Sequence, residues 1–358
     1  MSSHIFLVYR RGMSEIPVFI LAEHLQAVGV EMTADLDAPN SPERNFLLLV
    51  LTPGTLERCI EPNDAMRNVL KDAASRSTRL LMLASPHFNP ADQARYAADL
   101  LANAEPLLLD YTQWQKSFSA LMQTLHVEAE APPLRPEQQM QLAAQAHFER
   151  ALSLPPDDLA GKFAAYEQAL ALYPDFAEAY ARRGGAQLAS GNLAACLANC
   201  ETALRLNPNL AEAHHNRAMA LSKQEDYAAA LESYALVLRF DPLNARAYLN
   251  RGVARAKLGD VDGAIEDYTV AVALNPNLSE AYFNRSLAYG QRDNFEEAMQ
   301  DYTRAIALNL NMPQTSDAAN LSATISYLER LLRRFPDHPQ AETIRHEIYR
   351  LRGTVDDL

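Results

Sequence analysis

Cys196 and Cys200 are the residues whose spacing most directly suggests chemistry. Standing four positions apart, they share one face of a helix and could supply half of a metal site. No His or Cys lies at ligand spacing to complete that site, so we interpret both as buried, inert thiols. His214 and His215 are adjacent and therefore project in different directions on a helix. With no Gly-rich phosphate loop and no nucleophile elbow in the sequence, these residue types indicate binding rather than covalent catalysis.

Both cysteines belong to a 34-residue unit that recurs four times without insertions, at 177–210, 211–244, 245–278 and 279–312. We number its positions as columns 1–34. Small residues at columns 8 and 20 let two helices, at columns 1–14 and 17–30, cross closely. Aromatic residues recur at columns 4 and 24, where we expect them to fill the space between neighbouring helix pairs. Glycine at column 15 of two copies predicts a turn with positive φ.

These columns resemble the tetratricopeptide repeat. One such helix pair cannot bury its apolar face alone, so the resemblance implies a right-handed α-solenoid with a concave groove that binds another protein. Residues 143–176 fit the repeat only in their second half and are predicted to form a degenerate first copy within a solenoid over 137–312. Two amphipathic segments within 313–358 are predicted to form capping helices.

The predicted partner-binding surface follows from this resemblance. In related repeats, an Asn at column 6 hydrogen bonds the backbone of an extended peptide, since an amide both donates and accepts. The alternative is that this Asn belongs to the helix consensus alone. Column 6 and the neighbouring concave columns give the candidate residues Asn216, Asn250, Asn284, His215, Met219, Arg246, Leu249, Phe283 and Leu287. Columns 5 and 9 lack the Lys and Asn of repeats that grip a C-terminal carboxylate, so we do not expect a chaperone-tail clamp.

Residues 1–126 alternate strand-like and helix-like runs, which predicts a flavodoxin-like, doubly wound sheet of five parallel strands. The predicted strands are 5–9, 31–33, 46–51, 80–83 and 107–109, and the predicted helices are 15–27, 64–75, 91–102 and 112–125. The fold class is therefore α/β followed by all-α. An acidic, proline-rich stretch at 127–136 is predicted to be the linker.

The α/β region also resembles TIR domains, through HIFLVYRRG at 4–12 and NFLLLVLTPGTLERCIEPNDAMRNVLKDA at 45–73. Some members of that family cleave NAD with a Glu inside a Trp-x-x-x-Glu pattern. The register places Ala65 at the Trp and Val69 at the Glu, and a valine cannot hydrogen bond a ribose. The segment 34–45 is shorter than the family's loop and helix. The nearby acids Glu61, Asp64 and Asp72 are interpreted as a solvated helix start and face.

The residues at these motif positions therefore predict no catalytic residue, no metal and no cofactor. The alternative is a TIR-type NAD hydrolase or a nucleotide-binding sensor, with NAD as ligand. Another flavodoxin-like domain, such as a receiver, is a further alternative, although Tyr9, Arg10 and Arg11 stand where a receiver has paired acids.

Composition narrows the class of protein. The 358 residues carry a net charge of −13, which argues against nucleic acid as a partner because that binding needs clustered cations. The sequence contains no run of about 18 apolar residues, so we expect no transmembrane helix. The first residues do not have the pattern of a secretory signal. We expect a cytoplasmic scaffold or adaptor in signalling or defence. Its repeats would hold a protein or peptide, and its TIR-like domain would dock to another TIR domain or to a second protein.

Overall fold

The computed structural model describes residues 4–9, 15–33, 46–53, 65–75, 79–89, 91–93, 97, 101, 104–127, 129, 132–308, 318–337, 339 and 341–356. These residues form two compact units, Met1–Asn216 and Arg217–Leu358, and each is described by itself. The predicted segment 34–45 and the acids Glu61 and Asp64 lie outside the described residues.

The first unit begins with a parallel sheet in the order β2-β1-β3-β4-β5, which is the flavodoxin-like order. Its strands are β1 His4–Val8, β2 Glu31–Thr33, β3 Phe46–Leu51, β4 Arg79–Ala84 and β5 Glu105–Leu108. Helices of this region include α1 Glu15–Ala27, α2 Ala65–Ser75 and α3 Trp114–Thr124, the last following a short 3-10 turn at Tyr111–Gln113. The predicted parallel sheet is thus present.

Strand residues alternate between two buried faces. Leu48 and Val50 belong to a core shared with α1 and α3, whereas Leu47, Leu49 and Leu51 belong to a core shared with α2. Because β3 is covered on both sides, it needs an uninterrupted apolar sequence, which explains its FLLLVL composition. On the first face, Trp114 Nε1 of α3 donates to His24 Nδ1 of α1 at 2.9 Å, which fixes the two helices together.

The last strand differs from its prediction. The sequence placed it at 107–109, but β5 begins at Glu105 and includes Pro106, which pairs in register with Met82. A proline has no backbone N–H to donate to a neighbouring strand. It is tolerated on an edge strand, because one side of that strand has no partner that needs this hydrogen bond. Of the helix predicted over 91–102, the described part is helical at 91–93 and at 101.

Beyond residue 135 the described chain is helical, with helices that alternate at the period of the repeat. In order they are α4 Pro136–Ser153, α5 Leu159–Leu172, α6 Ala177–Ala189, α7 Leu193–Leu206, α8 Ala211–Lys223, α9 Tyr227–Phe240, α10 Ala245–Lys257, α11 Val261–Leu274, α12 Ser279–Gln291, α13 Phe295–Ala307, α14 Ala318–Arg334 and α15 Ala341–Asp356. Small residues do bring the two helices of a repeat together: a Cβ added at Gly252 would stand 2.6 Å from the ring of Tyr268. The column-24 ring of Tyr268 thus packs inside its own helix pair, and it shares a core cluster with Leu278 and Ala281 at the start of the next pair.

Column 15 adopts a left-handed backbone in all four copies. Gly191 and Gly259 have φ of 81° and 86°, as their residue type predicts. The other two copies place non-glycine residues there, Glu225 at 63° and Asp293 at 57°. The turn geometry is thus imposed by the packing of the helix pair, and a side chain is accepted at some conformational cost.

In the second unit, α14 and α15 pack against the last repeat. Their apolar residues form one cluster with Met299 and Tyr302 of α13. Tyr327 of α14 is buried, its hydroxyl donates to the Ser286 carbonyl at 2.6 Å, and its ring covers Gly290. The two helices therefore cover apolar surface that the last helix pair would otherwise expose.

In the first unit, helix α4 joins the α/β region through a buried carboxylate. Glu149 is fully buried, and its Oε1 accepts from the Tyr111 hydroxyl at 2.5 Å and from Gln145 Nε2 at 2.8 Å. An ion pair between Arg135 and Glu23 of α1 adds a 2.8 Å contact at the helix start. Burial raises the pKa of the Glu149 carboxyl to about 7, while hydrogen bonds limit the rise.

We expect this carboxyl to make stability depend on pH. The folded protein keeps a proton that the unfolded chain releases near pH 4.5, so the contribution of Glu149 is greatest in acid and declines as pH rises to about 7. In Glu149→Gln, the decrease in the free energy of unfolding between acid and neutral pH should be smaller by up to about 3 kcal/mol. Thermal unfolding at about pH 5 and about pH 7.5 measures it. The exposed acid of the same helix, changed as Glu137→Gln, is the matched control, and an equal pH dependence in wild type and Glu149→Gln would contradict the assignment.

Candidate partner-binding surface

A hydrogen-bonded pair recurs in each of the four copies between 177 and 312. Column 7 is always Arg, and its Nε donates to the side chain at column 23, sixteen residues later. The acceptors are Asn199, Ser233, Asp267 and Asp301, at donor–acceptor distances of 2.8, 3.0, 2.9 and 2.6 Å. In the last two copies a second guanidinium nitrogen bonds the other carboxylate oxygen, which makes the pair bidentate. The pair ties the first helix of each repeat to the second.

The same arginines contact aromatic rings. Arg183, Arg251 and Arg285 lie 5.3, 5.3 and 5.7 Å from the centroids of the column-4 rings Tyr180, Tyr248 and Tyr282. Such contacts are attractive cation–π interactions. Sequence reasoning did not find these pairs, although the invariant Arg at column 7 was a usable signal.

In the first unit, the predicted residues His215 and Asn216 lie on α8. Asn216 is 8% exposed, and its Nδ2 donates to the Ala181 carbonyl of α6 at 3.0 Å. This amide donor therefore links the first helices of two successive repeats. His215 is half-buried.

In the second unit, the predicted residues lie on α8, α10 and α12. Met219, Asn250, Phe283, Asn284 and Leu287 are half-buried and Arg246 is exposed, whereas Leu249 is 4% exposed and packs in the core. Helices α10 and α12 are in contact, so their side chains contribute to one surface. We call the exposed parts of Arg246, Asn250, Phe283, Asn284 and Leu287 the first-helix surface.

Comparison with known families identifies the repeats of the helical region. Models of the tetratricopeptide repeat match residues 215–279 and 279–311. The chain contains tetratricopeptide repeats. No curated protein matches the chain.

Several solved structures are similar to about half of the chain. MamA is 23% identical, covering 42% of this chain and 89% of its own, with a TM-score of 0.40. The corresponding values for Pseudomonas aeruginosa pilF are 17%, 58%, 99% and 0.47. For YrrB, a tetratricopeptide protein with an unusual peptide-binding site, they are 22%, 45%, 81% and 0.38.

The cysteines are packing residues of α7, the second helix of the copy at 177–210. Cys196 and Cys200 are fully buried, with their sulfurs 4.0 Å apart. Within the described ranges, no three His, Cys, Asp or Glu side chains come together as a metal site. None of the helices in those ranges has the length and apolar composition needed to cross a bilayer.

Upstream of the tetratricopeptide repeats, Val69, which the sequence resemblance aligned with a TIR glutamate, is part of the protein core. Val69 lies on α2, is 7% exposed, and packs with Leu47 and Met82 of the sheet. A side chain held there faces apolar neighbours. The position serves packing in this chain.

Proposed function

We propose that this protein is an interaction scaffold whose tetratricopeptide repeats hold a partner polypeptide on the first-helix surface. The observation that carries the proposal is the composition of that surface. Two amides, Asn250 and Asn284, stand half-exposed beside the apolar side chains Phe283 and Leu287, on helices that contact each other. Apolar contacts with a few placed amides suit an extended peptide, whose backbone offers both donors and acceptors.

The proposal gives the column-6 asparagines different roles. The Nδ2 of Asn216 is committed to the Ala181 carbonyl, so we assign Asn216 to holding the helices together. Peptide contact then falls to Asn250 and Asn284. The arginines of column 7 are engaged with column 23, which leaves Arg246 as the exposed cation of this surface.

We expect the double variant Asn250→Ala/Asn284→Ala to bind selected peptides at least about tenfold more weakly, since two hydrogen bonds of about 1 kcal/mol each are lost. Peptides would be selected against the full chain from a displayed random library, and their affinities measured by calorimetry. Glu266→Ala, an exposed change on the second helix α11, is the control and should leave affinity unchanged. Equal affinity in the double variant and wild type would contradict the groove assignment.

For the α/β region we propose docking onto a second protein, in line with its resemblance to TIR domains and with a role in signalling or defence. The buried position of Val69 supports a role other than NAD cleavage. The alternative remains an NAD hydrolase or nucleotide sensor that uses acids elsewhere. Free nicotinamide released from NAD by the purified chain would favour that alternative.

A further inference from the structure

A cavity of about 340 Å³ opens within the first unit, where the α/β region meets the start of the helical region. Its walls come from α1, from α4, from the connection between α5 and α6, and from the end of α7. The side chains that carry the argument are Glu15, Phe19, Phe148, Tyr173, Phe176 and Glu178. The volume lies within the range of sites that take a small molecule or one large side chain.

Aromatic rings form one side of the cavity. The Phe148 and Phe176 centroids are 4.9 Å apart, and those of Tyr173 and Phe176 are 5.8 Å apart. Phe19 of α1 lines the same space and is 62% exposed. Ring faces combined with carboxylates are the combination that attracts an organic cation.

The next copy of the repeat shows which partner an acid at column 2 binds. One copy later, Glu212 at column 2 forms an ion pair with Arg182 at 2.9 Å. Counting back 34 residues, Glu178 replaces Glu212 and Phe148 replaces Arg182. Within the described residues, Glu178 forms a side-chain hydrogen bond with Glu15 but no ion pair, and the position that would supply its cation holds a phenyl ring. The repeat pattern therefore predicts that a guanidinium from outside this chain can pair with Glu178, as Arg182 pairs with Glu212.

The protonation of the carboxyl groups in the cavity is consistent with a cationic ligand. Burial, followed by the neighbouring Glu15 carboxylate, raises the pKa of Glu178. Two carboxyl groups held together retain a proton more readily, and an arriving cation would replace that proton. Glu212, Asp175 and Tyr173 also face this region and carry negative charge when ionised.

We propose that this cavity binds the guanidinium of an arginine side chain carried by the partner polypeptide. Only the source of that arginine rests on the proposed function; the cavity can be tested without a partner. Arginine fits better than lysine because its planar group stacks on rings and presents several donors to two carboxylates.

The test titrates the full chain with N-acetyl-argininamide by calorimetry and by NMR. The matched probe is N-acetyl-citrullinamide, which keeps the shape and lacks the charge. We expect saturable binding of the arginine compound, at least about tenfold weaker binding of the citrulline compound, and tighter arginine binding near pH 9 than near pH 6.5. Glu178→Gln should lower the arginine affinity at least about tenfold, whereas Glu201→Gln, an exposed change on α7, should not alter it.

Several results would overturn the proposal: equal binding of the two compounds, unchanged affinity in Glu178→Gln, or no saturable binding of the arginine compound. If Glu178→Gln does not fold, Glu15→Gln is tested in its place. Circular dichroism checks that each variant is folded. These measurements involve neither Asn250 nor Asn284. A failure of the peptide experiment therefore leaves the cavity proposal standing, and a failure here leaves the first-helix surface untouched.

Discussion

Replacing Tyr268 with alanine is expected to lower the free energy of unfolding of the second unit by about 3–5 kcal/mol. The tyrosine is 2% exposed, and its ring lies against Gly252 and packs with Leu249 and Ala271. Removing the ring leaves a cavity between two helices whose separation that ring sets. Since each helix pair is stabilised mainly by its neighbours, the loss should spread to the adjacent repeats.

The measurement is urea unfolding followed by circular dichroism. Tyr349→Ala provides the control, because it removes the same ring from a site on α15 that is 82% exposed, and it should change stability by less than about 0.5 kcal/mol. A loss below about 1 kcal/mol for Tyr268→Ala would show that the helix pair closes over the gap, and the spacing role assigned to this ring would be wrong.

Asp267→Ala is expected to cost about 3 kcal/mol, the second largest effect. The Asp267 side chain is 3% exposed and receives Arg251 at 2.6 Å and Arg255 at 3.2 Å. Its removal leaves the Arg251 guanidinium, 20% exposed, without its carboxylate, whereas Arg255 keeps its pair with Asp260 at 3.7 Å. Asp267→Asn should cost less, because the first copy already uses an amide, Asn199, to accept from its column-7 arginine.

The same helix carries a matched control for this prediction. Asp262 pairs with Arg292, but both side chains are more than half exposed, at 66% and 51%. Exposed pairs contribute little, so Asp262→Ala should cost less than about 1 kcal/mol in the same urea experiment. Equal losses for Asp262→Ala and Asp267→Ala would mean that burial of the column-23 acceptor has no special weight.

Much of the fold followed from residue patterns that act locally. The apolar run of β3 and the small residues at column 8 each imposed their structure through immediate neighbours, and both were predicted. The bounds of β5 were missed because Pro106 is acceptable only on an edge strand, and strand order is not visible in a sequence.

The side-chain partnerships were harder to predict. Arg251 and Asp267 are sixteen residues apart across a turn, and helical periodicity alone does not pair such positions. Asn216 was predicted for its ability to bind a peptide, but whether its donor is free depends on how closely the Ala181 carbonyl approaches. The acid–aromatic cavity requires α1 to be docked on α4, which no repeat pattern specifies.

The Glu149 carboxylate has a consequence for how the chain folds. Its acceptor oxygen is shared between Tyr111, which follows the last strand, and Gln145 of its own helix. Opening either side of that contact removes hydrogen-bond donors that the acid uses in the folded state. Sheet and first helices should therefore gain and lose their protection against hydrogen exchange together, as a single foldon whose opening energy depends in part on pH.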